Sequence, residues 1–516
     1  MKTQSPLKFS LLSLLFAIGS IQSVAANDLS IDQRIDQLLK PIADLFISII
    51  FFSLPIAGTA VPLIVVWLLV AATAFTIYFK FISLRGFRHS FMVLRGDFSD
   101  PSDPGEVTHF QALTTALSGT VGLGNIAGVA IAVSIGGPGA TFWMMVAGLL
   151  GMSTKFLECS LGVKYRKITP EGKVLGGPMY YLSSGLAELG HHRLGRFLAI
   201  FFAICCCIAS LCGSNMLQSN QAYSQFAYVM GGEASFWADK GWLFGMILAG
   251  VIGVIIIGGI KTIAQVTSRV VPLMAGIYLS AALFILIANF EKIPGAFALI
   301  FAGAFNPIGV TGGIIGVMVQ GFKRATFSNE SGVGAAAIAH ATASTTEPIR
   351  EGFVALIEPF IDTVVICTIT ALVIVITGAY VGVEGIDGVA MTSRAFESVI
   401  WWFPYLLSFA VLMFAISTMV SWAYYGSIAW SYLVGNSPIM DLLYKVIFCS
   451  FTVIGASISL NSVIDISDSM FFSMAIANIV GLYMLAPSIK IDLANYMTKY
   501  VNPSTRELNT DKRSRG

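Results

Sequence analysis

The chain has 516 residues, 56% of them hydrophobic and only 11% charged, with a formal net charge of +2 and a mean hydropathy of +0.80. A soluble domain carries about 25% charged residues, so this composition excludes a water-soluble enzyme or binding module. The net charge is too small to attract nucleic acid. At the start of the chain, MKTQSPLKFSLLSLLFAIGSIQSVAA sets Lys2 and Lys8 before an apolar run and small residues at Ser23, Ala25 and Ala26. That pattern predicts a signal peptide over 1–26, with an uncleaved anchor helix as the rival. Residues 27–57 follow as an outer, periplasmic segment, and DQRIDQLLKPIADLFISIIFF within it reads as an amphipathic interfacial helix.

Apolar runs long enough to span a bilayer fall at 58–80, 109–135, 139–163, 196–220, 241–260, 270–290, 311–341, 353–378, 396–431, 440–459 and 463–487, eleven in all. An all-α integral membrane protein is expected, with its N-terminus outside and its 488–516 tail in the cytoplasm. Charge supports this orientation. Setting aside the leader and the Lys323–Arg324 pair, 21 of 26 lysines and arginines fall on inside segments. Five fall outside: Arg34, Lys40, Lys240, Lys292 and Arg394. Five of the seven cysteines (Cys159, Cys205, Cys206, Cys207 and Cys212) sit in apolar runs and read as small hydrophobes.

Two of the spans carry helix-breaking sequence in mid-membrane. SGTVGLGN occupies 118–125 and FSNESGVG occupies 327–334. Irregular backbone survives at that depth only where protein or a water-filled cavity covers it. The breaks lie five spans apart, an odd number that inverts the second unit. This predicts a 5+5 inverted repeat, 109–290 and 291–487, preceded by an extra helix and cytoplasmic loop over 58–108. Paired interrupted helices in corresponding positions point to the substrate site of a secondary transporter.

The chemistry of such a break suits a zwitterion. Free N–H groups at a half-helix start attract a carboxylate, and released carbonyls suit Na⁺ or an ammonium group. Gly122 and Gly124 let a ligand reach the main chain, while Asn125, Ser328 and Asn329 add neutral polar contacts. The competing use of such glycines is close helix packing. Lys323, Arg324 and Glu330 are charges inside a span, either functional or a mutually paired cluster. Glu158 reads as a hydrogen-bonding partner for helix ends. Gln218 lies four residues after Ser214 on one helical face. Ser417, Thr418 and Ser421 supply hydroxyls for a small-cation cage or for helix-to-helix bonds, and Trp422 a wall, a lid or a packing aromatic.

Taken together, GTVGLGNIAGVAIAVSIGGPGATFW, GGPMYYL, FSNESGVGAAAIAHA and SWAYYGSIAW closely resemble the alanine or glycine:cation symporter family, over about residues 59–487. That family couples amino-acid transport to sodium and has the leucine-transporter type of inverted-repeat fold. The chain departs from its usual pattern at Ser331 (SNESG for SNEAG) and at Leu123 (where GTGN is frequent). The resemblance implies an amino-acid site formed by Thr120, Gly122, Leu123, Gly124 and Asn125 with Phe327, Ser328, Asn329 and Gly332, and by Gln218 and Trp422. It also implies a sodium site from the carbonyls of Ser118 and Val121 with Ser417, Thr418 and Ser421. Na⁺ is then the coupling ion, with no organic cofactor. Expected partners are a small neutral amino acid (alanine or glycine) and the bilayer of a bacterial inner membrane, with no nucleic acid and no obligate protein partner.

Other functions fit less well. The five histidines (His89, His109, His191, His192 and His340) are scattered without a metalloprotease or nucleophile motif, and no phosphate-binding loop for ATP occurs. A proton-coupled carrier stays open, and so does a channel, since unwound segments also line selectivity filters.

Overall fold

The computed structural model describes residues 31–56, 59–100, 102–306, 312–381, 388–458 and 461–501. The signal-peptide reading, most of the 488–516 tail and residue 311, the first of the seventh expected span, lie outside these. An amphipathic helix, α1 (Ile31–Ile50), is followed by a two-stranded hairpin, Ser53–Ile56 against Thr59–Pro62, and a short apolar helix, α2 (Leu63–Tyr78).

The first interrupted crossing is α3 (His109–Thr120) and α4 (Gly124–Gly136), bent by 53° at the break. A reciprocal cap starts it: the Thr108 hydroxyl accepts from the Gln111 N–H, and the Gln111 side chain accepts from the Thr108 N–H. α5 (Gly139–Lys164) then runs through the centre of the protein. Beyond a short hairpin and α6 (Pro178–Glu188) come α7 (His192–Val229), α8 (Gly241–Ile257) and α9 (Gly259–Ala288). Lys261 and Arg269, expected in an inside loop, are instead in the first turns of α9.

α10 (Ile293–Phe305) is a 13-residue helix where no span was expected. It is apolar but too short to cross, and it packs on α5, where Gly139 meets the backbone of Gly303 and Ala304. The second interruption, which the sequence places in its seventh expected span, follows between α11 (Gly313–Asn329) and the one-turn α12 (Ala336–His340). α13 (Pro348–Thr377), α14 (Gly388–Glu397), α15 (Phe403–Val434), α16 (Pro438–Ser457) and α17 (Asn461–Tyr496) complete the chain.

Among the described residues seven helices are long and apolar enough to cross a membrane, or eight with the bent pair, and α2 and α8 are shorter apolar helices. This is a multi-pass, mostly helical membrane protein. α5 packs against α2, α4, α10, α11, α12 and α13, so both interrupted segments are built around one buried rod. Lys155, inside the expected 139–163 span, is fully buried in that rod and paired with Glu358 at 2.9 Å. A lone charge there would be costly, and the pairing is what makes the position tenable.

Candidate functional site

The first break is shorter than the glycine-rich sequence implies. α3 continues through Ser118 to Thr120, Val121 turns extended (φ −75°, ψ 100°), and helix resumes at Gly124 with a widened π-type turn to Gly128. The second break starts later than expected. Phe327, Ser328 and Asn329 are still helical, and the irregular stretch opens at Glu330. Glu330, Gly332 and Gly334 have φ of 56°, 90° and 92°. The two glycines are needed there because side chains disfavour that region, and Glu330 adopts it at a cost of about 1–2 kcal/mol.

Between the breaks lies a cavity of about 30 Å³, room for roughly two waters. Seven of the expected residues line it: Thr120, Gly122, Leu123, Gly124, Gln218, Phe327 and Trp422. Thr418, Glu330 and Phe471 line it as well. The Trp422 indole N–H donates to Glu330 Oε1 at 3.1 Å. Glu330 Oε2 and Gln218 Oε1 are buried acceptors with no partner among the described residues. Buried polar atoms are nearly always bonded, so two orphans facing one cavity mark a place where a donor belongs.

Asn125, Ser328, Asn329 and Gly332 are not in that lining; they stand behind the wall. Asn125 folds back to accept from the Gly122 N–H at 2.8 Å and donates to Asp362 Oδ1 at 2.6 Å and to Ser328 Oγ at 3.1 Å. Ser328 and Thr363 donate to Asp362 Oδ2 at 2.8 and 2.7 Å, and Asn329 donates to Thr363 Oγ1 at 3.0 Å. Asp362 therefore ties the two interrupted crossings together. The carbonyl of Gly332 accepts from Asn478 at 2.9 Å, and Asn478 donates to Glu158 Oε1 at 2.6 Å.

Asp362 and its neighbour Glu358 escaped notice in the sequence, although each is an acid inside an expected span, the same signal that marked Glu330. The π-type turns at Cys212–Met216, just before Gln218, and at Phe360–Cys367, around Asp362, left no trace in the sequence pattern. Such turns recur at functional sites because they re-aim side chains.

The oxygen cluster sits beside Gly122. Thr418 Oγ1 donates to the Ser118 carbonyl at 3.1 Å, and Ser118 Oγ donates to the Ser417 carbonyl at 2.6 Å. Ser417 Oγ points away, to the Phe414 carbonyl at 3.0 Å and Met274 Sδ at 3.5 Å. Ser421 bonds to the carbonyl of Thr115 at 2.8 Å, one turn along α3 from Ser118. Val121 is buried next to this group. The donors are neutral oxygens, the set a small hard cation accepts. Lys323 and Arg324 do not join Glu330 in a paired cluster: the Lys323 ammonium lies 4.5 Å from the Phe51 ring centre.

A second tie between the crossings lies nearer the start of α3. Glu351 bonds to His109, the first residue of α3, and to His340, the last residue of α12, at 2.6 Å for the latter. His340 also lies 3.7 Å from Glu358. Glu351 and Asp362 stand three turns apart on α13, so one helix fastens both interrupted crossings at two levels.

Two interrupted helices around a small polar cavity, with an oxygen cluster at one break, are the architecture of a secondary transporter. The sequence profile of the sodium:alanine symporter family matches residues 51–510, and the chain belongs to that family. It is 38% identical over 428 residues to the sodium/alanine symporter AgcS of Methanococcus maripaludis, covering 82% of this chain and 92% of the relative. It is 34% identical over 415 residues to the amino-acid carrier protein AlsT of Bacillus subtilis, covering 80% and 84%. The fold is shared with the crystal structure of MhsT in complex with L-phenylalanine, at a TM-score of 0.53 and 13% identity, over 74% of this chain and 89% of that one.

Proposed function

We propose that the protein is a sodium-coupled symporter that carries a small neutral amino acid, alanine or glycine, into the cell by alternating access. The carrying observation is the pair of unpartnered acceptors, Glu330 Oε2 and Gln218 Oε1, on the wall of the central cavity. An ammonium group supplies the donors they lack, and the start of α4 offers N–H groups to the carboxylate. The small cavity, walled by Phe327 and Trp422, favours a short side chain. Family membership and the names of the relatives support an amino acid and a cation as cargo.

Ser118, Val121, Ser417 and Thr418 are proposed as the sodium site, with Ser421 one turn away as its support. No carboxylate belongs to that set, which favours binding of Na⁺ over protonation; proton coupling is the second reading, favoured by the acid Glu330 in the cavity. The full architecture proposed is eleven spans, a 5+5 inverted repeat after an extra helix, an outside N-terminus and a cytoplasmic C-terminus in a bacterial inner membrane.

The test is uptake of labelled alanine and glycine into proteoliposomes under imposed Na⁺ or H⁺ gradients. Sodium-driven uptake is expected, with Thr418→Ala raising the sodium concentration for half-maximal rate about tenfold and Ser417→Ala, whose hydroxyl points away from the cluster, changing it less. Uptake driven by a proton gradient alone would replace sodium by the second reading.

A further inference from the structure

A second polar cavity lies two turns beyond the central one. It has a volume of about 340 Å³ and is walled by α7 and α14, with Gln221, Gln225 and Tyr228 on one side and Val389, Ser393 and Arg394 on the other. Gln225 and Ser393 are 6% and 3% exposed. Gln225 Nε2 and Ser393 Oγ have no hydrogen-bond partner among the described residues. An amide N–H₂ can only donate, so the cavity presents unmet donors where the central pocket presents unmet acceptors. Among the described residues that line it there is no acid.

The position of this cavity links it to the central site. Gln218 and Gln225 are seven residues apart on the regular part of α7, on one face and about 10 Å from each other along the axis. The opposite wall is attached to the first interrupted crossing: Thr392 Oγ1 donates to the Ile126 carbonyl at 3.0 Å, two residues into α4. Gly388 also abuts Ala127, where an added Cβ would come within 2.9 Å of the Ala127 Cβ. Movement at the first break therefore moves one wall of this cavity.

We propose that the cavity is an outer waiting site that holds the carboxylate of the transported amino acid on Gln225 and Ser393 before it passes to Gln218 and the central pocket. The inference rests on the carrier function and orientation proposed above. A carboxylate fits because it is acceptor-only and offers two oxygens to a cavity whose orphan groups can donate. No covalent step is involved, and the site is weak by construction, since the solute must leave it inward.

The experiment compares right-side-out and inside-out membrane vesicles carrying wild type, Gln225→Met, Ser393→Ala and the double variant. Removing an unpartnered buried polar group does not cost folding energy, so all four are expected to fold with unchanged melting temperature. The half-saturating alanine concentration for influx from the outer face should rise about fivefold in the single variants and more in the double. Flux started from the inner face should keep its half-saturating concentration. Acetate, a bare carboxylate, added outside should inhibit influx competitively in wild type and much less in Gln225→Met.

Unchanged influx parameters, an equal rise from both faces, or acetate inhibition that survives in Gln225→Met would each overturn the waiting site alone. A wild type that moves neither alanine nor glycine under any cation gradient would overturn the carrier function, and the waiting site with it.

Discussion

In the first interrupted crossing the helix stops at Thr120 and resumes at Gly124, and none of the residues between has a left-handed backbone. In the second, helix stops at Asn329 and the chain passes through three left-handed residues, Glu330, Gly332 and Gly334, before α12. The first break contributes main chain and keeps the Thr120 hydroxyl on the Ala116 and Leu117 carbonyls of its own helix. The second spends conformational energy to aim a carboxylate into the cavity. The difference teaches a division of labour: the first crossing holds the oxygen cluster and the second holds the charged contact. Both are referred to the same scaffold, α13, through Asp362 and Glu351.

The largest expected effect comes from cutting the tie that makes the two crossings comparable at all. Asp362→Ala leaves Asn125, Ser328 and Thr363 without their shared acceptor. Hydrogen bonds to a charged group are worth about 1.5–3 kcal/mol each, so a loss of at least 3 kcal/mol is expected, read as a clear drop in melting temperature in detergent, with uptake abolished. A variant of normal stability and normal uptake would show that the crossings are held in register by other contacts.

A smaller change separates the crossings without unfolding them. Glu330→Gln keeps an acceptor for the Trp422 indole and removes the charge from the cavity. The loss of one charge-assisted contact, about 1.5–3 kcal/mol, lowers alanine affinity roughly 10- to 100-fold. Thr120→Val at the first break should change it less than threefold, because that hydroxyl is already spent within its helix. Calorimetric titration of both variants checks the contrast, and equal losses would erase it.

Much of this arrangement was legible in the sequence. The two glycine-rich interruptions stand out because helical spans rarely tolerate them without cover. Gln218 and Trp422 were expected at the pocket only through the resemblance, and both line the cavity. What stayed hidden depends on contacts far apart in the chain. Asn125 and Ser328 look alike in sequence to any pocket residue, and only their meeting at Asp362, 237 and 34 residues away, turns them into a brace behind the wall. Helix α10 was missed for a local reason. IPGAFALIFAGAF is apolar, yet shorter than a span and opened by Pro294 and Gly295.

The smallest effect expected is within the first break, where two glycines two residues apart do different work. A Cβ on Gly122 would lie 2.8 Å from Thr418 Oγ1, inside the oxygen cluster. On Gly124 it would lie 3.3 Å from the Ser328 Cα, at the contact between the two interrupted crossings. The second glycine is thus a packing residue as well as a pocket residue, and exposure of backbone alone does not account for it. Alanine is favoured over glycine within a helix by about 1 kcal/mol, which offsets part of the crowding against a backbone atom that must shift by a few tenths of an ångström. Gly124→Ala should therefore stay within about 1 kcal/mol of wild-type stability and weaken alanine binding a few-fold, with sodium dependence unchanged. Gly122→Ala should do the reverse, because the methyl displaces the Thr418 hydroxyl and leaves the cavity wall in place. It should raise the half-saturating sodium concentration about fivefold while alanine affinity at saturating sodium holds. Titrating each ligand against both variants decides the matter. If both substitutions shift the same titration by the same amount, the break responds as one unit, and the separation between a cation side and a substrate side is lost.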